Sequence, residues 1–233
     1  MDPKLAIKRL LHGIESYNPE HRSILEQHLN WQVSNGEYDF EANLALLRLY
    51  QFYPEHFNVD AAKLVLLKAL ASLNPTDLTL CKYLIQLDHL AERPLSLVLE
   101  LGTLLETCRF PEFWMKLKEN PNLVSGVLGF RDCMLKFILQ IISQTYQRIP
   151  KSLLVSFLDM SEADVKKLIA KQGWSLSDAK DDAGDPLILV NKHEESVKSV
   201  KIQEKVNFDS ITSMAGAFRP SKGDFFIKTG LQS

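Results

Sequence analysis

RDCMLKFILQIISQTYQRIPKSLLVSFLDMSEADVKKLIAKQGWSLSDAKDDAGDPLILV, from Arg131 to Val190, is the stretch whose reading decides the fold. Met134, Phe137, Ile138, Ile141, Ile142 and Tyr146 recur at the spacing of one helical face, broad enough to pack on two neighbours. Pro150 stops that helix, because it has no N–H to donate and its ring clashes with the preceding turn. Leu153, Leu154, Phe157 and Leu158 predict a short helix after it. The next helix carries its own start signal. The Ser161 hydroxyl can accept from an early backbone N–H, and Asp164 sits near the positive end of the helix dipole. Val165, Leu168 and Ile169 form its core face, and Gly173 its C-terminal cap. Ser175 to Pro186 is polar and acidic, and Leu187 to Val190 is the one strand that the patterning predicts. This order of elements reads as a winged helix, with residues 131–207 as its domain.

Towards the N-terminus the apolar residues keep helical spacing, interrupted at short intervals by breakers. Leu5, Leu10, Leu11, Ile14 and Tyr17 make one stripe, ended by Asn18-Pro19. Ile24, Leu25, Leu29 and Trp31 make a second, closed by Asn35-Gly36. Asp39 opens a third, carrying Leu44, Leu47 and Tyr50 as far as Pro54. Leu64, Leu67 and Leu70 form a fourth that stops at Asn74-Pro75. Further helices hold Leu80, Leu84 and Leu87, then Leu97, Leu101 and Leu105, then Phe113, Trp114 and Leu117. Nothing here alternates with period two. The predicted fold is mostly α: a HEAT-like helical-repeat domain over residues 1–130, its helix pairs stacked as a solenoid, followed by the winged helix. Beyond it, residues 208–233 are expected to form a short C-terminal helix and a flexible tail from Arg219 onward.

The chain's 233 residues carry a formal net charge of -2, with 45% hydrophobic and 24% charged residues. That balance argues against a strongly basic nucleic-acid binder. Between Lys151 and Val190 stand five basic residues against seven acidic ones, so the groove-reading part of the predicted winged helix lacks the cations that phosphates demand. Cys81, Cys108 and Cys133 are far apart, with no C-x-x-C pair, and read as buried reduced thiols. The N-terminal residues lack the apolar core and cleavage site of a signal peptide, and no run approaches the ~18 apolar residues of a membrane span. A cytoplasmic protein is expected. Phosphate-loop, nucleophile-elbow and zinc-protease motifs are absent, and neither the dispersed histidines nor the acidic run Asp178, Asp181, Asp182 and Asp185 has metal-ligand spacing. The expectation is no enzyme, no metal and no cofactor.

Helical repeats leading through a long bridging helix into a non-basic winged helix is the plan of the PCI domain. The resemblance is closer than plan. YDFEANLALLRLYQFYP (Tyr38 to Pro54), DLTLCK (Asp77 to Lys82), LLETCRFPEFW (Leu104 to Trp114), TYQRI (Thr145 to Ile149), GWS (Gly173 to Ser175) and EKVNFDSITSM (Glu204 to Met214) stand in order along the chain. These strings resemble the subunit K family of eukaryotic translation initiation factor 3, with a PCI region at about 38–207. The resemblance implies a non-catalytic scaffold subunit acting in translation initiation on the small ribosomal subunit. It also implies that the partners are other subunits of that factor, chiefly subunit L. The polar loop Ser177 to Pro186 and the tail from Arg219 depart from the family pattern as extensions.

Two sets of residues are candidates for contact. Leu187, Ile188, Leu189 and Val190 can offer a strand to another subunit if they lie at a sheet edge, and Val206, Phe208, Ile211 and Met214 are too apolar for a free tail. Lys192, Lys198, Lys201 and Lys205 are the candidates for RNA contact, with the tail cations Arg219, Lys222 and Lys228 beside Phe225 and Phe226. The alternative readings are accordingly an RNA-binding winged-helix protein, or a PCI subunit of the proteasome lid or the signalosome.

Overall fold

The structure, a computed structural model, describes residues 3–11, 13–72, 74–181, 184–191 and 208–217. It is mostly α. The helices are α1 (Pro3–Leu10), α2 (Arg22–Asn35), α3 (Phe40–Phe52), α4 (Val59–Ala71), α5 (Pro75–Tyr83), α6 (Leu87–Ala91), α7 (Leu95–Glu106), α8 (Phe110–Glu119) and α9 (Phe130–Thr145). Their starts are written in the sequence. Asp39 accepts from the Ala42 N–H at 3.2 Å to cap α3, and Asn58 accepts from the Asp60 and Ala61 N–H groups at 3.1 and 3.3 Å to cap α4. Gly36, at φ 69°, closes α2 in the left-handed conformation that a Cβ disfavours.

α4 is the hub of this array. It packs against α2, α3, α5, α7 and α9, and Ala62, Val65, Leu66 and Leu67 expose nothing to solvent. A polar network ties three helices together beneath that core. Gln32 on α2 donates to Asn43 on α3 at 3.0 Å and accepts from the Asp39 N–H at 2.8 Å. His28 meets Asp39 at 3.1 Å, and Lys68 on α4 reaches the Gln32 carbonyl at 3.4 Å. Gln32 and Asn43 are buried, and each is satisfied, as buried amides must be.

The first predicted stripe divides: α1 ends at Leu10, and Gly13, at φ 67°, opens a separate 3₁₀ turn, Gly13–Tyr17. The predicted core stripe Leu80, Leu84 and Leu87 is also corrected. Leu78, Cys81 and Ile85 face the core, while Leu80 and Leu87 are exposed. Asp77 explains the rotation, since its buried carboxylate accepts from Tyr38 at 2.8 Å, Asn74 at 2.7 Å and Ser72 at 3.2 Å, turning that side of α5 inward. Of the cysteines, Cys81 is buried, Cys133 is partly covered and Cys108 is exposed. Cys108 sits just past the end of α7 at φ 58°, outside the apolar face that its neighbours suggested.

After α9 come β1 (Arg148–Pro150), α10 (Lys151–Leu158), α11 (Glu162–Gln172), β2 (Ser175–Lys180) and β3 (Pro186–Leu189). Three strands replace the one expected. They form an antiparallel sheet in the order β1-β3-β2, with Ile188 opposite both Ile149 and Leu176. β1 is too short and β2 too polar to show a hydrophobic signature. The predicted cap is present: the Ser161 hydroxyl accepts from the Asp164 N–H at 3.3 Å and donates to its carboxylate at 2.7 Å.

This module is fastened to the array through α8. Trp114 donates its indole N–H to the Phe157 carbonyl at 2.8 Å, and Arg131 lies 4.7 Å from the Trp114 ring centroid. Asp159, at the end of α10, accepts from Lys118 of α8 at 2.6 Å, while its carbonyl accepts from Arg131 of α9 at 2.9 Å. The chain divides into two compact units, Met1–Lys192 and His193–Ser233. In the second, a helix spans Phe208–Ala217.

Candidate partner interface

β3 is the centre of its sheet. Its backbone pairs with β1 on one side and β2 on the other, so Leu187 to Leu189 have no free edge to offer another chain. Ile188 is fully buried in the core, and Leu187, Leu189 and Val190 are half-buried. The condition on which this strand could pair with another chain, a place at a sheet edge, is not met. Val190, just past β3, donates to the Gln147 carbonyl at 2.8 Å, which extends the β1 side of the sheet.

The true edges are both blunted. β1 is three residues long and ends in Pro150, which cannot donate. β2 carries an irregularity between Leu176 and Lys180, where the Ala179 N–H turns to the Ser177 hydroxyl at 3.3 Å. Edges of this kind resist adventitious strand pairing. What β2 does present is Leu176, 60% exposed.

The acidic loop is a structural device. Asp181 donates its N–H to the Asp185 carbonyl at 2.9 Å and closes a tight turn on Gly184, φ 81°. Asp185 then accepts from the Ser152 N–H at 2.8 Å, which supplies α10 with the cap that Pro150 cannot provide. That hydrogen bond holds the Asp185 carboxyl below the usual aspartate range. Among the described residues no group of His, Cys, Asp and Glu is placed to hold a metal ion.

The surface of α11 is charged and partly compensated, with one of its lysines, Lys167, paired. Glu162 pairs with Lys151, and Asp164 with Lys167 at 3.5 Å. Those partners hold both carboxyls below their ordinary values, led for Glu162 by the hydrogen bond from Lys151 and for Asp164 by that from Ser161. Among the described residues no helix is long and apolar enough to cross a membrane.

The second unit presents a different surface. Phe208, Ile211 and Met214 recur every three residues along the Phe208–Ala217 helix, and they are 79%, 50% and 69% exposed. Three large apolar side chains on one helical face are thus open to solvent. Val206 lies outside the described residues, as do Lys192, Lys198, Lys201 and Lys205 and the tail from Arg219. Phe208, Ile211 and Met214 are legible from their spacing as an apolar face, whereas the exposure of Leu176 is not, because its polar neighbours hide it in a loop-like run.

A profile of the CSN8/PSMD8/EIF3K family matches residues 57–199, which takes in α4 through the whole sheet module. The Homo sapiens protein named eukaryotic translation initiation factor 3 subunit K is 44% identical over 209 residues, covering 89% of this chain and 93% of that protein. Its Nematostella vectensis namesake is 36% identical over 219 residues, covering 93% and 98%. The Drosophila erecta one is 34% identical over 206 residues, covering 88% and 90%. With the full span of helical array and sheet module shared at such identity, this chain belongs to the CSN8/PSMD8/EIF3K family, on its branch of initiation factor 3 K subunits.

Proposed function

We propose that this chain is a non-catalytic scaffold subunit of eukaryotic translation initiation factor 3, acting in the cytoplasm and meeting the small ribosomal subunit through the assembled factor. Its layout in this reading is a HEAT-like array over residues 1–130, a winged helix over 131–207, and a docking helix with its tail over 208–233. The partner is a second PCI subunit, chiefly subunit L. Family membership supports the complex, and the open apolar face of Phe208, Ile211 and Met214 is the observation that carries the docking.

The energetics fit a shared interface. Fully covering a large apolar side chain is worth roughly 1.5–3 kcal/mol, so three of them offset only part of the cost of association. Further contact is needed, and Leu176 on β2, exposed on the first unit, can supply some of it. Between Lys151 and Val190 five basic residues stand against seven acidic ones, which makes this module a poor phosphate reader.

The test is reconstitution of the factor with Phe208→Asp and Ile211→Asp combined. Subunit L is expected to be lost from the purified complex, while the circular dichroism of the isolated chain stays unchanged. Full recovery of subunit L overturns the interface. Lys166→Glu with Lys167→Glu is expected to leave recovery intact.

A further inference from the structure

Between α1 and α3 the array leaves an open cleft of about 630 Å³, far from the sheet module in sequence and distinct from the Phe208–Ala217 face. Leu11, Phe40, Leu44 and Ala45 form its apolar lining. Phe40, Leu44 and Arg48 stand one turn apart on α3, with Phe52 continuing the row beyond the cleft. The other faces of α3 are spent on the core, where Leu46, Leu47, Leu49 and Tyr50 are buried.

Two cations line this cleft. Elsewhere on the array Lys63 pairs with Asp60, Arg109 with Glu112, Lys116 with Glu100 and Lys118 with Asp159, while Arg9, Lys82 and Arg93 have no ion pair among the described residues. Lys8 and Arg48, on opposite walls of the cleft, have neither an ion pair nor a hydrogen bond among the described residues. Glu41 lines the same cleft and makes no ion pair with either among the described residues. Glu41 is settled by its place in the first turn of α3, where the dipole favours an anion. What is left for a ligand to meet is an apolar floor between two unpaired cations.

We propose that this cleft docks an acidic amphipathic helix from a partner protein of the same assembly. From Phe40 to Phe52 the row extends about 18 Å, the length of a helix of three to four turns. A row spaced at four residues is the ridge that another helix packs into, with apolar anchors at i and i+4 and carboxylates flanking them for Lys8 and Arg48. Single-stranded RNA is the poorer fit. Two cations neutralise too few phosphates, and the aromatic rings at the end of the row, Tyr17 and Phe52, pack edge to face with each other at 5.6 Å instead of lying open for stacking.

The inference rests on the subunit reading, and the experiment scores the two separately. p-Benzoyl-phenylalanine in place of Phe52, which is 59% exposed, is carried into the reconstituted factor and irradiated, and the adduct is mapped by mass spectrometry. Presence of the chain in the purified complex reads the subunit role. The expected adduct lies in a helical segment of another subunit that carries apolar residues at i and i+4 and at least two carboxylates. Arg48→Glu and Lys8→Glu are each expected to cut its yield at least fivefold, with the thermal melt of the free chain unchanged. An adduct with RNA, with a second copy of this chain or with a basic segment overturns the proposal. So does the absence of any adduct from a complex that contains the chain, or a yield indifferent to Arg48→Glu.

Discussion

Lys68 is a cation kept in the core of α4, 5% exposed, with the Gln32 carbonyl at 3.4 Å as its hydrogen-bond acceptor. Burial holds its ammonium below the ordinary lysine value. The folded state therefore sheds a proton that the unfolded chain retains, and stability rises with pH from the lowered folded value towards 10.5. Lys68→Met removes the penalty and is expected to raise stability at neutral pH by about 1–3 kcal/mol in denaturant unfolding. The gain should shrink as pH approaches 10.5. Three other buried groups act in the opposite sense. Burial pushes the Cys81 thiol up from 9.0 to about 12. Tyr38 and Tyr50 are raised above 10.0, first by burial and then by donating to Asp77 and Glu26. Each keeps its proton in the fold after the unfolded chain has lost it, so their stabilisation is complete below the unfolded values and is lost as pH rises past them. The unfolding midpoint is expected to fall above pH 10.5, where Lys68 no longer offsets these three groups, and Tyr50→Phe to flatten that fall. His28 is buried against Asp39, a pairing its neighbours in sequence do not foretell, because apolar spacing says nothing about which polar side chain a core will pair.

At the scale of elements, the sheet module is held by local caps whose partners come from different distances. Ser161 and Asp164 are three residues apart, and the sequence showed that start signal at once. Asp185 caps α10 from thirty-three residues away, and only the tight turn at Gly184 brings it there. Asp185→Asn is expected to speed hydrogen exchange at the Ser152 amide while leaving exchange in α11 unchanged. Acid does the same: the lowered Asp185 and Asp164 carboxyls contribute stability that is present above 3.8 and lost as pH falls below it. Ser161→Ala should cost about 1 kcal/mol, read by chemical denaturation. The three-stranded sheet was one strand in the sequence. A strand shows itself through apolar alternation, and here β3, with Ile188 fully buried, carries the visible signal while β2 stays polar because it forms an outer edge.

For the molecule as a whole, the junction of array and module converges on Asp159. Its carboxylate and carbonyl gather Lys118 of α8 and Arg131 of α9, and Arg131 in turn covers Trp114. Asp159 also holds φ 48°, a conformation that Asp tolerates better than most residues and Gly adopts freely. Two variants separate the contributions. Asp159→Gly loses the ion pairs alone, worth about 0.5–1 kcal/mol at such exposure. Asp159→Ala loses the pairs and adds the left-handed penalty of about 1–2 kcal/mol. Thermal unfolding is expected to rank wild type above Asp159→Gly above Asp159→Ala. Equal midpoints for the two variants would remove backbone strain from the account.

The sequence by itself determined the helical class, the caps at Asp39, Asn58 and Ser161, the apolar face of Phe208, Ile211 and Met214, and the family. Each is encoded by residues within a turn or two of one another or by an ordered string of identities. The tertiary structure alone decided which strand is central, which side of α5 faces the core, and that Lys8 and Arg48 face one cleft without ion-pair partners among the described residues. Those outcomes depend on groups distant in the chain, Ile149 with Ile188, Tyr38 with Asp77, α1 with α3. Spacing along a sequence records how a segment buries its own apolar side. It does not record what that side meets.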